Sequence, residues 1–308
     1  MNLDPELAAA LPQLPDLHID DLERARATMR SLAERGVLPD PLPVTLTDVA
    51  VPGGAGDPPA AVRVARPPTV DGPVPGLLLL HGGGFVMGDL DGVTPQAVDL
   101  CVRLGAVVVA VGYRLAPEHP YPAAFHDCLA ALRWTAEEAD GVDPARIGAY
   151  GMSAGGGLAA ALTLFVRDQG GPPLRFQVLD APVVDDRMDT PSMRTFVDTP
   201  LWSRPDAELS WRHYLGGRDG EVPVYAAPAR ATDLSGLPPA YVSVYENDPL
   251  RDEGMAYASR LLQAGVQVEL HLFPGTFHRS AVVAGAAVSR RQTEETVAAL
   301  QRGLAAGG

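Results

Sequence analysis

The chain has 308 residues, room for one large α/β domain or two ordinary ones. Hydrophobic residues make up 46% and charged residues 20%, which is enough apolar material for a sizeable core. With 24 basic against 38 acidic residues the formal net charge is −14, so the basic surface a nucleic-acid partner needs is missing, and because every basic residue is arginine, lysine Schiff-base and P-loop chemistry are excluded.

Residues 1–21 are acidic and broken by prolines, without a basic segment leading into an apolar run. The longest apolar runs, Gly76 to Leu80 and Ala106 to Val111, are too short to cross a bilayer. No membrane anchor is expected, and a cytoplasmic location follows by default. Leu7 to Arg35 has a helical pattern, with Asp20 and Asp21 placed to start a second helix and Gly36 to end it. Pro39, Pro41 and Pro43 form a stiff linker. Val44 to Val51 and Ala60 to Ala65 alternate like antiparallel strands around the turn-rich stretch from Pro52 to Pro59.

Leu77 to Leu80, Val107 to Val111 and Ile147 to Tyr150 then read as strands covered on both faces. Pro95 to Leu104, Ala123 to Glu138 and Ala154 to Arg167 read as the helices among them, so the pattern is βαβ with a mostly parallel sheet. Cys101 and Cys128 fall in helical stretches and read as buried free thiols, too few for a disulfide framework or a zinc site. Asp185 to Gly220 breaks the rhythm between the strands Phe176 to Leu179 and Tyr241 to Tyr245. It carries Trp202 and Trp211, and an insertion there hangs over the crevice where α/β sheets bind ligands. Helix Asp252 to Ala264, strand Val266 to Phe273 and a last helix ending near Leu304 complete the chain. No internal repeat is present.

Gly151-Met152-Ser153-Ala154-Gly155 fits the nucleophile elbow G-x-S-x-G, in which a strand turns sharply into a helix and small neighbours let the chain cross itself. The strand before it and the helix after it supply the right context; a structural Gly-Ser-Gly turn is the plain alternative. His81-Gly82-Gly83-Gly84 follows an apolar strand, and its bare backbone N–H groups can approach a developing oxyanion. Gly83, Gly84 and the N–H of Ala154 are the expected donors, with His81 bracing the loop.

A serine nucleophile in this arrangement is followed in the chain by an acid and then a histidine. His271 shares a strand face with Gln267 and Glu269 and reads as a surface residue, which leaves His278, beyond the strand end, as the base. Asp248, just past its strand and stiffened by Pro249, is the expected acid, with Glu246 as the alternative. Asp252 and Glu253 read as first-turn helix carboxylates. Phe85, Met87, Met152, Trp202 and Trp211 are candidate pocket walls, and core packing is the competing reading of the aromatic and Met positions.

Together these residues, with Gly112-Tyr113-Arg114-Leu115-Ala116-Pro117-Glu118 and the stretch from Asp248 to Gly254, resemble the hormone-sensitive-lipase-like family of α/β-hydrolase esterases from about Leu77 to His278. The resemblance implies an α/β-hydrolase core (43–184 and 221–308) around an eight-stranded, mostly parallel sheet. It also implies a helical cap from residues 1–42 and an insertion at 185–220. The implied reaction is hydrolysis of carboxylic esters with short or medium acyl chains, with a small-molecule ester as partner and no metal or organic cofactor. The family often dimerises, though no feature of this chain independently requires a homodimer. The family elbow commonly has Asp or Thr where Met152 stands, and Gly-Phe often follows the base where Arg279-Ser280 stand. Arg279 is either a surface residue or a cation that favours a carboxylate-bearing substrate. An amidase, lactonase or peptidase would use the same triad, and a receptor that kept the pocket without the chemistry would use the same fold.

Overall fold

A computed structural model describes residues 1–34, 38–69, 72–217 and 220–305. The expected helix end at Arg35 and Gly36 lies outside these residues, as do positions 70–71, 218–219 and 306–308 of the expected segments. The elements run α1 (Pro5–Ala10), α2 (Leu22–Glu34), β1 (Thr45–Val51), β2 (Ala60–Arg66), β3 (Val74–Leu80), α3 (Leu90–Leu104), β4 (Val107–Gly112), α4 (Ala123–Glu137), β5 (Val142–Met152) and α5 (Ala154–Gln169). They continue β6 (Phe176–Asp180), α6 (Pro191–Thr195), α7 (Arg204–Leu215), β7 (Ala240–Asn247), α8 (Arg251–Gln263), β8 (Val268–Phe277) and α9 (Ala287–Leu304).

The strands form one eight-stranded sheet in the order β1-β2-β4-β3-β5-β6-β7-β8. β1 with β2 and β2 with β4 are antiparallel, and the pairings from β4 to β8 are parallel. This is the mostly parallel α/β sheet that the apolar runs predict. Its physical basis is the period-two alternation of a strand. Leu78 and Leu80 enter the larger core with α4, α5 and α8, while Leu77 and Leu79 enter a second core against α3 and α9.

Of the boundaries that differ from the sequence reading, two bear on the site. Helix α3 starts at Leu90, not at Pro95, because Asp89 caps it by accepting from the Gly92 N–H at 2.8 Å, and Pro95 sits inside. Strand β8 runs on through Pro274 to Phe277, re-pairing with β7 after an irregularity at Asn247↔Phe277, so His278 directly follows a strand.

The N-terminal segment is tied to two other parts of the chain. The His18 ring and the Ile19 N–H both meet the Asp206 carboxylate of α7, at 2.6 and 2.9 Å. Arg26 of α2 reaches the Val86 and Ala116 carbonyls and the Glu118 carboxylate. Residues 1–34 and α7 therefore hold one another above the carboxyl ends of the strands. Cys101 and Cys128 are buried free thiols, and among the described residues no helix is long and apolar enough to cross a membrane.

Candidate active site

Ser153 stands where β5 turns into α5, with φ 54° and ψ −117°, a conformation that an L-residue adopts only under constraint. The constraint comes from close backbone approaches that only glycine permits. A Cβ on Gly151 would lie 2.0 Å from the Gly155 carbonyl oxygen, and one on Gly155 would lie 2.1 Å from that of Leu80. The Ser153 N–H donates to the Asp180 carbonyl at 2.7 Å, and its own carbonyl accepts from Val183 at 3.1 Å. Its hydroxyl is therefore held rigidly at the carboxyl edge of the sheet.

His278 Nε2 lies 3.1 Å from Ser153 Oγ, and its Nδ1 lies 2.7 Å from Asp248 Oδ2. A carboxylate only accepts, so Nδ1 carries the proton and Nε2 presents a lone pair to the serine. Asp248 is fully buried, and its other oxygen accepts from the Leu250 N–H at 2.9 Å, which fixes the carboxylate plane. Glu246, the alternative acid, points elsewhere: its carboxylate accepts from the Gly275 N–H at 2.6 Å. His271 sits half-buried on β8 between Glu269 and Glu295, far from this chain of hydrogen bonds. Asp252 and Glu253 do lie in the first turn of α8. Asp252 accepts from the Ser192 N–H, whereas Glu253 turns inward to accept from Val184 and Asp185. Burial pushes the Glu253 carboxyl well above the usual range.

The glycine loop lies beside Ser153: a Cβ on Gly82 would be 3.3 Å from the Ser153 Cβ. Gly83 and Gly84 have φ of 121° and 59°, and among the described residues their N–H groups and that of Ala154 donate to no backbone carbonyl. The Gly83 carbonyl is turned away to accept from Val86 and Met87. His81 stacks on Tyr113 at 4.1 Å and lies against the Gly82 carbonyl, and burial lowers its pKa to about 4. It is a neutral brace under the loop.

A cavity of about 280 Å³ opens beside Ser153 between α3 and α9. Met152 lines it. Phe85, Met87, Trp202 and Trp211 do not; they are buried in the larger core. Trp202 covers Gly84, where a Cβ would meet its ring at 2.4 Å, and lies 6.0 Å from the His278 ring. Phe85 stacks on Tyr214 at 3.8 Å.

Sequence reasoning missed Asp180. It ends the apolar strand β6 as the register partner of Met152, is buried, and accepts from Ser243, Tyr245 and Gln292. Burial raises its pKa. The available signal was a lone carboxylate closing the run Phe176-Gln177-Val178-Leu179. Among the described residues no group of three or more His, Cys, Asp or Glu side chains is placed to hold a metal.

Comparison with known proteins places the chain among α/β-hydrolases. A family profile for the alpha/beta hydrolase fold matches residues 77–282. Carboxylesterase NlhH of Mycobacterium tuberculosis is 42% identical over 316 aligned positions, covering 98% of this chain and 97% of its own. Esterase LipI of the same organism is 42% identical, covering 87% and 85%. A solved structure of a bacterial heroin esterase is 52% identical and superimposes with a TM-score of 0.96 over 99% of both chains.

Proposed function

The chain belongs to the hormone-sensitive-lipase-like family of α/β-hydrolases, and from that premise we propose that it is a serine carboxylesterase acting on short- to medium-chain carboxylic esters. The observation that carries the proposal is the buried Asp248–His278–Ser153 chain, with contacts of 2.7 and 3.1 Å. The names of the relatives, carboxylesterase and esterase, support the reaction class.

In this reading His278 takes the Ser153 proton as Oγ attacks the ester carbonyl. Asp248 holds the ring in the productive tautomer and stabilises the imidazolium. The N–H groups of Gly83, Gly84 and Ala154 receive the oxyanion, and each such donor is worth about 3 kcal/mol. His278 then passes its proton to the departing alcohol. Water repeats the sequence on the acyl-enzyme, releasing the acid and restoring Ser153. Residues of the chain carry each proton and each developing charge.

The test is hydrolysis of p-nitrophenyl esters from acetate to dodecanoate by wild type and by Ser153→Ala. Activity should peak at short chains and fall by about 10⁶-fold in the variant. A folded wild-type protein that turns over none of them, or a variant that retains activity, overturns the proposal.

A further inference from the structure

The cavity beside Ser153 has unbalanced ionic walls. Three carboxylates line it, and each is already engaged. Asp89 caps α3 through Gly92 at 2.8 Å, Asp99 faces Arg103 at 3.7 Å, and Asp180 accepts from Ser243 at 2.6 Å and Tyr245 at 3.0 Å. The fourth charged group in the wall is Arg279. Among the described residues its guanidinium donates to no carboxylate, carbonyl or hydroxyl, although it is only partly exposed and adjoins His278 in the chain. A guanidinium keeps its charge at any working pH, so without a hydrogen-bond partner it bears a desolvation cost that the field of the Asp180 carboxylate offsets only in part.

Its backbone bears a cost as well. Arg279 has φ 60° and ψ 19°, the left-handed region that suits glycine, the residue that often follows the base in this family. Here the same backbone conformation is held by a residue with a long cationic side chain that lines the cavity. Strain of this kind, in an unpartnered charge beside a reacting centre, points to a ligand.

We propose that Arg279 is a substrate-binding residue that pairs with a carboxylate, so the preferred esters carry a carboxylate on the portion that occupies this cavity. The proposal names the substrate class for the esterase reading above and rests on it. The planar guanidinium fork can give two parallel N–H bonds to one carboxylate. The net charge of −14 disfavours anions at long range, so the selectivity arises at contact distance.

Two matched pairs of esters test this: 4-acetoxybenzoate against its methyl ester, and monophenyl adipate against phenyl hexanoate. In wild type the carboxylate member of one pair should have the higher kcat/KM. The carboxylate-to-neutral ratio should fall about tenfold or more in Arg279→Gln and recover in part in Arg279→Lys. Arg279→Gly, which relaxes the backbone, should lose the ratio as Gln does while folding at least as well. A ratio unchanged in Gln and Gly overturns the proposal.

Calorimetric titration of the Ser153→Ala protein with benzoate and adipate separates the two readings. Binding that disappears with Arg279→Gln supports the anion site even if no ester is hydrolysed, in which case only the esterase reading fails. Absent binding, or binding equal in both proteins, overturns the anion site.

Discussion

The two flanks of Ser153 are built oppositely. On the flank covered by α7, Trp202 lies over Gly84, Phe85 stacks on Tyr214, and Ser210 of α7 donates to the Gly84 carbonyl at 2.7 Å, so side chains fill the space. On the α3–α9 flank, Gly88, Gly92 and Ala181 leave room, and Val93, Leu100 and Met152 share the walls with three carboxylates and Arg279. Large aromatics near a catalytic motif are where close packing is strongest, and a pocket forms where side chains are small and polar groups are held by one another. Proximity to the glycine loop therefore marks packing around Trp202 and Phe85, while the open space beside Ser153 is the α3–α9 cavity.

Three perturbations sharpen that contrast. The largest leaves both flanks intact and removes only the element they share. Asp248→Asn should keep the fold and lower turnover by about 10⁴-fold, because the wrong His278 tautomer then faces Ser153; steady-state kinetics beside a circular-dichroism spectrum decides this. Next, Trp202→Ala should open the closed flank. It should cost about 3–5 kcal/mol in urea unfolding and shift the best p-nitrophenyl ester to a longer acyl chain. An unchanged chain-length profile would mean that the α3–α9 cavity already takes the acyl group.

The smallest effect concerns His81, on the floor between the flanks. Burial lowers its folded pKa to about 4 from the ordinary 6.5, so between those values the unfolded chain binds a proton that the native state refuses. Stability should therefore be lost as pH falls from 6.5 to 4, by about 3 kcal/mol in all. His81→Gln should flatten that part of the pH profile of urea midpoints, and an equally steep profile in the variant would assign the slope to other groups.

The fold and the proposed reacting residues were legible for different reasons. Apolar runs such as Val107 to Val111 report a sheet covered on both faces whatever surrounds them. The glycines around Ser153 are legible because a backbone crossing at 2.0–2.1 Å tolerates no other residue. Asp248 and His278 were readable from order along the chain and from their places after strands. The pocket was not legible, because it depends on which way long side chains turn. Gln292 of α9 and Tyr245 of β7 meet Asp180 across 112 and 65 residues of sequence, and no local pattern records such a meeting. Pro95 misled for a similar reason: as a first-turn residue it marks a helix start, but the Asp89 cap began the helix earlier.

The pairing of Met152 with Asp180 across β5 and β6 has a consequence for anyone who would evolve this protein. One strand over from the residue before the serine, the Asp180 carboxylate already accepts from Ser243 and Tyr245. Placing Asp at position 152 alone would set two acids side by side on one sheet face, where like charges oppose each other. Replacing Asp180 alone would take the acceptor from the Ser243 hydroxyl and leave Tyr245 with only Gln292. The two positions are neighbours on one sheet face, so a library should vary them together.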